Sequence, residues 1–557
     1  MAKENNKSDL QNLPACAVEF IKLIIGKMRY RREVRRDVQA ELAAHFRDEL
    51  KECASDKEKE QKAQQLISGF GNVKLLAVLL RRAKRRCRPL WRTVVVRTFQ
   101  TVGVLIVCFV IYVVWFFTGK PAITIDYIAE LNRIVRPAAD ETQNAAPLYH
   151  KAAELYEKVP QDIPNLLSKK YREAAAEERQ LTEKWITDNE EALELIIAGS
   201  QKPYYWRTYE GEDMISILLP HLSGFRNLAK ALCWRAELHA EQGRYEDAFG
   251  DIKSCYRFGQ HLKGDKVLIE QLVAIAIENL SVQALRSILS EHEINSSTLA
   301  MLQRDFEQMV AGEDFVPSLK TEKLFMYDEI QRCFTEGRLG GGHLYLSRIG
   351  DLSNIGDESV PTPEELLVQT IFSPGQWPRA VRVLFFHPDK QQTREMTDRC
   401  YAFWDKVARK TPAQIHDEGI DVEKQAMEII KGNILLEILT PAFSRISEIS
   451  HRNRADIEAA LTIIAVLRYE RDSGSYPQDL KQLIADDYLK QLPIDPFSDK
   501  PLVYRRTDDN FILYSVGLNF TDEGGEYGKD RKGKPRLWYS LDGDAVFWPV
   551  PKPEVQQ

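Results

Sequence analysis

The run from Thr98 to Phe117, TFQTVGVLIVCFVIYVVWFF, constrains this chain more than any other feature. It carries no charge, and its length matches the roughly 20 residues a helix needs to cross a hydrocarbon core of about 30 Å. Apolar residues occupy every face, so a helix here either crosses a bilayer or is buried on all sides. Tyr112 and Trp115 lie toward its far end, where aromatic residues meet a membrane interface. The expectation is one transmembrane helix at 98–117. On its N-terminal side stand Arg81, Arg82, Lys84, Arg85, Arg86, Arg88, Arg92 and Arg97, with no acidic residue among them. The positive-inside rule places that flank in the cytoplasm and residues after 118 outside it. A cleaved secretory signal is short and lies near residue 1, whereas this run begins nearly a hundred residues in; the anchor is expected to be retained.

The net charge of −6 hides an asymmetry: residues 1–97 carry 23 Lys and Arg against 12 Asp and Glu, and the remainder 53 against 70. A basic flank suits anionic headgroups. No zinc finger, helix-turn-helix signature or Arg/aromatic platform accompanies it, so no nucleic acid is expected as a partner. At 557 residues the chain should hold two to four folded units. Its eight cysteines include no CxxC pair, which removes the commonest structural zinc and thioredoxin-like readings. Cys233, Cys255, Cys333 and Cys400 lie beyond the apolar run, where disulfides and buried free thiols are both open readings.

Residues 1–90 read as a compact helical domain. Val34, Val38, Leu42, Phe46 and Leu50 recur every fourth residue, and Ala63, Leu66, Ile67 and Phe70 follow a charged turn. Gly71 stands where a left-handed helix cap is wanted, and Leu75, Leu76 and Leu79 begin the next apolar face. The Glu41-Leu42-Ala43-Ala44-His45 helix followed by Phe70-Gly71-Asn72 resembles the HAAS-type signalling domain of bacteria over some fifty residues. The charged run Asp56 to Lys62 departs from that family's Gly-rich link. The resemblance implies a domain that relays or organises signals beside a membrane span. His45 is of the type that switches near neutral pH, but packing is its default role.

Residues 120–440 are expected to form an extracytoplasmic irregular helical array. Ala231, Trp234, Leu238, then Gly243-Arg244-Tyr245, then Ala248, Tyr256 and Phe258 resemble one tetratricopeptide (TPR) unit near 228–262, with no clear second copy at the expected period. From Leu339 to Pro378 the composition turns to Gly, Ser, Pro and Asp, which predicts a surface excursion. Gly340 to His343 invites an oxyanion-hole reading, but no nucleophile elbow, Walker A loop, HExxH or dinucleotide fingerprint supports it.

Residues 441–557 read as an α+β module. A long amphipathic helix from Ala455 to Arg471 leads into Ser475-Tyr476-Pro477, a short helix to Tyr488, Leu492-Pro493-Ile494-Asp495-Pro496-Phe497, and strands at Leu502–Arg505, Phe511–Val516 and Ala545–Val550. This order resembles the globular domain of the type II secretion major pseudopilin over about one hundred residues. That resemblance implies a calcium-binding acidic loop, for which Asp522, Glu523, Asp542 and Asp544 are the candidate oxygen ligands; a solvent-exposed acidic turn is the alternative. Pseudopilins begin with a leader and an apolar helix, so a module at the end of a long chain is not expected to polymerise. The whole arrangement resembles a type of large membrane protein common in planctomycetes.

The sequence thus predicts a mainly α protein: a cytoplasmic helical domain, one transmembrane helix, an extracytoplasmic TPR-like array and a C-terminal pseudopilin-like domain. The function expected is non-enzymatic binding or scaffolding of protein partners at a bacterial cytoplasmic membrane, connected with signalling or secretion. Membrane lipid is an expected contact, and calcium the one candidate ion. The alternative is an envelope hydrolase whose active site is assembled from residues distant in sequence.

Overall fold

A computed structural model describes residues 10–86, 90–117, 119–157, 176–337, 342–345, 348, 386–440, 443–530, 533–538 and 542–551. The chain is mainly helical, with a small sheet near its C-terminus, and divides into two compact units, Met1–Trp115 and Phe116–Gln557. Most of the excursion expected at Leu339–Pro378 lies outside the described residues.

In the first unit α1 (Ala15–Lys27), α2 (Arg32–Leu50), α3 (Asp56–Gly69) and α4 (Val73–Arg86) precede α5 (Leu90–Phe117). Helix α3 starts at a capping box: Ser55 Oγ accepts from the Glu58 N–H at 3.3 Å, and the Glu58 carboxylate accepts from the Ser55 N–H at 3.2 Å. The charged run Asp56 to Lys62 therefore opens a helix. Gly71 adopts φ 70°, the left-handed conformation its position predicts. Val38, Leu42, Phe46 and Ala63 join Ile21 and Ile24 in a closed core, and His45 packs edge-on against Phe70 at 5.7 Å.

The second unit opens with α6 (Tyr127–Val135), α7 (Ala146–Leu155), α8 (Ala176–Asp188) and α9 (Glu190–Ser200). It continues through α10 (His221–Glu241), α11 (Tyr245–Gln260), α12 (Leu268–Glu291), α13 (Ser296–Val310) and α14 (Lys320–Cys333). After the undescribed stretch come α15 (Lys390–Ala408), α16 (Pro412–Asp417), α17 (Val422–Ile430), α18 (Ile434–Leu439), the 31-residue α19 (Phe443–Ser473) and α20 (Leu480–Ala485). Helices α10 and α11 form an antiparallel pair turned by Gly243 at φ 75°, burying Ala231, Trp234, Ala248, Tyr256 and Phe258. Helix α12 packs on both. The close approach of α11 to α12 depends on Gly259, where an added Cβ would lie 2.8 Å from Glu278 Cγ and 3.0 Å from the Ala274 carbonyl.

Two helices, not one, have the length and apolarity to cross a membrane: Val94–Phe116, only 6% buried in its most apolar window, and Leu268–Glu291, 67% buried. The sequence reading expected only the first. Helix α12 passes the same test because it is the central helix of the array and is apolar on most sides. It also encloses Glu270, Glu278 and Arg286, each nearly inaccessible to solvent.

Helix α19 begins twelve residues before the expected Ala455. One side packs on α12 and α13, and other positions meet the sheet, so it is buried over most of its circumference instead of being amphipathic. The strands are β1 (Ile494–Asp495), β2 (Lys500–Pro501), β3 (Val503–Arg506), β4 (Phe511–Ser515) and β5 (Ala545–Trp548). β1 and β2 form a hairpin, and β3-β4-β5 an antiparallel sheet with Val503 opposite Tyr514 and Ser515 opposite Ala545. Asp495 is fully buried at the hairpin. Its Oδ1 accepts from the Phe497 N–H (3.0 Å) and Ser515 Oγ (2.7 Å), and its Oδ2 from Ser498 Oγ (3.1 Å) and the Val516 N–H (3.2 Å). One carboxylate thereby ties the Asp-Pro-Phe turn to the end of β4.

Candidate functional site

Of the four acidic residues singled out in the sequence, Asp522, Glu523 and Asp544 meet at one turn, whereas Asp542 is exposed two residues before Asp544. Asp544 is the buried centre: its Oδ2 accepts from the Gly525 N–H at 2.7 Å and its Oδ1 from the Glu523 N–H at 3.4 Å. Asp522 Oδ1 accepts from the Tyr514 hydroxyl (2.8 Å) and the Gly524 N–H (2.9 Å). Gly524 and Gly525 at φ 79° and 86° turn those amides toward the carboxylates. The loop thus turns backbone amides onto its own carboxylates. Among the described residues no group of three or more His, Cys, Asp or Glu side chains is arranged to hold a metal ion.

Burial pushes the Asp544 carboxyl up to about 6, with Glu523 and Asp522 adding to the rise and the two amide bonds opposing it. The folded form thus holds this proton more tightly than the unfolded chain does. Its contribution to stability is full below about pH 4 and is lost as pH rises through about 6. Thermal midpoints of the wild type minus those of Asp544→Asn should therefore fall across that window and level off above it. A difference that rises with pH would mean that the groups bonded to the carboxylate stabilise its ionised form by more than burial disfavours it.

A larger feature lies beside α19. Two cavities of about 530 Å³ and 610 Å³ flank the segment Asp314–Val316, and both are lined by Phe315 and Arg409. The first is bounded by Lys263, Asp265, Lys320 and Lys323 on one side and by Asp398, Tyr401 and Asp405 of α15 on the other. The second runs along α19 past Ser450, His451, Arg454 and Glu458, and reaches Glu307 and Lys490.

The walls of this groove are fixed by buried charges. Lys263 bonds Glu278 at 2.6 Å and also pairs with Glu313; Glu278 in turn accepts from Asn453 Nδ2 of α19 at 2.7 Å, and the Tyr256 hydroxyl donates to Glu313 at 2.9 Å. Burial raises the Glu278 carboxyl while Lys263 opposes the rise. Deeper in the array, Arg235 holds Asp251 through two bonds of 2.7 and 3.0 Å and reaches Glu190 and Glu194 at 2.8 and 2.9 Å.

A hydrolytic arrangement would need a hydroxyl or thiol bonded to a base. Ser450 and His451 are the nearest candidates in the groove, but neither Ser450 Oγ nor His451 Nδ1 has a hydrogen-bond partner among the described residues. Burial, with Arg454 close by, pushes the His451 imidazole down to about 4, so the ring is neutral at pH 7. His343, noted beside the glycine run, stacks on Phe116 at 4.9 Å. The thiols of Cys233 and Cys255 lie 3.6 Å apart, both buried and both free, as are Cys333 and Cys400.

No family model, curated protein or solved structure matches the chain. The groove itself was invisible in the sequence. Lys263, Phe315, Arg409, His451 and Arg454 stand in no motif and are spread over nearly two hundred positions, so only folding brings them together.

Proposed function

We propose that this chain is a non-enzymatic, single-pass membrane protein whose second unit binds a protein partner in the groove beside α19. In this reading α5 crosses the bacterial cytoplasmic membrane with the HAAS-like first unit inside. The TPR-like pair α10–α11 and the pseudopilin-like end lie outside, and Leu489, Lys490 and Pro493 of that end line the binding surface. The observation that carries it is the groove: open, lined by interspersed Lys, Arg, Asp and Glu around Phe315 and Tyr401, and without convergence of a nucleophile on a base among the described residues. Alternating charge of this kind favours recognition of a complementary polar surface over enclosure of a small substrate.

The test is affinity capture with detergent-solubilised full-length protein, in calcium and in chelator. Wild type is compared with an Arg409→Glu/Lys490→Glu variant, since both side chains are exposed and lie outside the buried network. Reversing two groove charges should deplete a specific partner by about tenfold or more, equivalent to about 1.4 kcal/mol. Secretion components among the depleted proteins would assign the class of partner, and dependence on calcium would implicate the acidic loop. Identical recovery with both proteins would remove the groove from the binding surface.

A further inference from the structure

Helix α4 is apolar on two sides. Val73, Leu76, Ala77 and Leu80 face the core formed with α1, α2 and α3, while Leu75, Val78 and Leu79 are 60%, 45% and 51% exposed. The spacing 75, 78, 79 places these three on one stripe of the helix. Exposed Arg81 and Arg82 follow at its C-terminal end, and no acidic residue occurs in the sequence between Glu60 and Asp126. Helix α4 ends at Arg86 and α5 begins at Leu90, so the stripe stands within a short tether of the most apolar helix in the chain.

We infer that this outer face of α4 lies on the anionic headgroup surface of the bilayer that α5 crosses. The inference rests on the reading of α5 as a membrane span. Three observations select lipid as the occupant: an apolar stripe edged by arginines fits the boundary between acyl chains and headgroups; the uninterrupted positive charge complements anionic phospholipid; and the tether holds α4 near whatever surface α5 enters. Lying there, α4 would fix the small helical unit against the membrane, so that its only free faces are those of α1, α2 and α3.

Full-length protein is reconstituted in phosphatidylcholine vesicles with and without phosphatidylglycerol. A fluorophore is attached through Val78→Cys, or through Glu49→Cys on the acid-rich surface of α2, in a background with Cys16, Cys53, Cys87 and Cys108 replaced by serine. Flotation of the vesicles after an alkaline wash reads the span independently of α4. Bromine-labelled lipid should quench the label at 78 at least about threefold more than at 49, with the difference enlarged by phosphatidylglycerol and reduced at high salt. Leu75→Glu/Leu79→Glu and, separately, Arg81→Glu/Arg82→Glu should abolish that difference while flotation persists. Equal quenching at both sites in protein that floats would overturn the inference. A label at 78 shielded from aqueous quencher but untouched by brominated lipid would also overturn it, by showing a protein on that face. Loss of flotation in the unsubstituted chain would instead remove the span.

Discussion

Replacing Arg235 with methionine should lower the stability of the second unit by about 3–5 kcal/mol, the usual cost of stranding one member of a buried ion pair. Arg235 and Asp251 are each no more than 4% exposed, and the guanidinium makes four bonds to three carboxylates on α9 and α11. Methionine fills much of the volume but leaves Asp251 charged in a closed interior, with His239 Nδ1 at 3.3 Å. Against a typical stability of about 5–15 kcal/mol, such a loss moves the denaturation midpoint far. It is read from urea unfolding followed by tryptophan fluorescence. Asp251→Leu combined with Arg235→Met should recover most of the loss, because the pair's desolvation is then removed together with its attraction. A single-variant loss below about 1 kcal/mol would mean that the charges are solvated and the network is ornamental.

The second large effect is expected at Asp495. Its carboxylate satisfies two backbone amides and two hydroxyls at a fully buried position, and truncation to alanine leaves the Phe497 and Val516 N–H groups without acceptors. At about 1–3 kcal/mol for each stranded group, Asp495→Ala should cost about 3–5 kcal/mol in total. The loss should appear as early proteolysis of the segment after α19. Asp495→Asn keeps one acceptor oxygen and should fall between wild type and alanine. Equal behaviour of Asn and Ala would show that the charge matters, not the geometry of acceptance. An unchanged digestion pattern in Asp495→Ala would detach this residue from the stability of the sheet.

Both residues show how unevenly the sequence reveals this protein. Asp495 stood inside a readable motif: the prolines at 493 and 496 require a chain reversal, and the three strands of the sheet after it were placed within one or two residues, although the two-residue strands β1 and β2 were not expected. The expected ends at Arg505, Val516 and Val550 became Arg506, Ser515 and Trp548. Pro549 has no N–H with which to extend the ladder. Arg235, by contrast, looked like an ordinary charged position on a helix. Its partners come from Glu190, Glu194 and Asp251, separated by a turn and a whole helix, and no local pattern announces them. The same holds for Lys263 in the groove wall.

Three helices sharpen the point. Local chemistry determined α5: an uncharged stretch with apolar residues on every side, behind a basic flank, reads the same whatever surrounds it. It also determined the cap at Gly71, the turn at Gly243 and the order of the C-terminal strands, because backbone conformation there depends on residues a few positions away. What only the tertiary structure decided was the environment of α12 and α19. Helix α12 is apolar enough to cross a membrane, yet two-thirds of its apolar window is buried inside the second unit. The polar residues of α19, among them Asn453 and Asp456, resemble a solvent face but are enclosed against Glu278, Arg286 and Trp538. A buried polar side chain is stable only when its partner is in place, and that partner is supplied by distant segments of the chain. The apolar helix α5 and the turns were therefore legible in the sequence, whereas the groove, the ion network and the carboxylate-centred acidic turn emerged only from the folded chain.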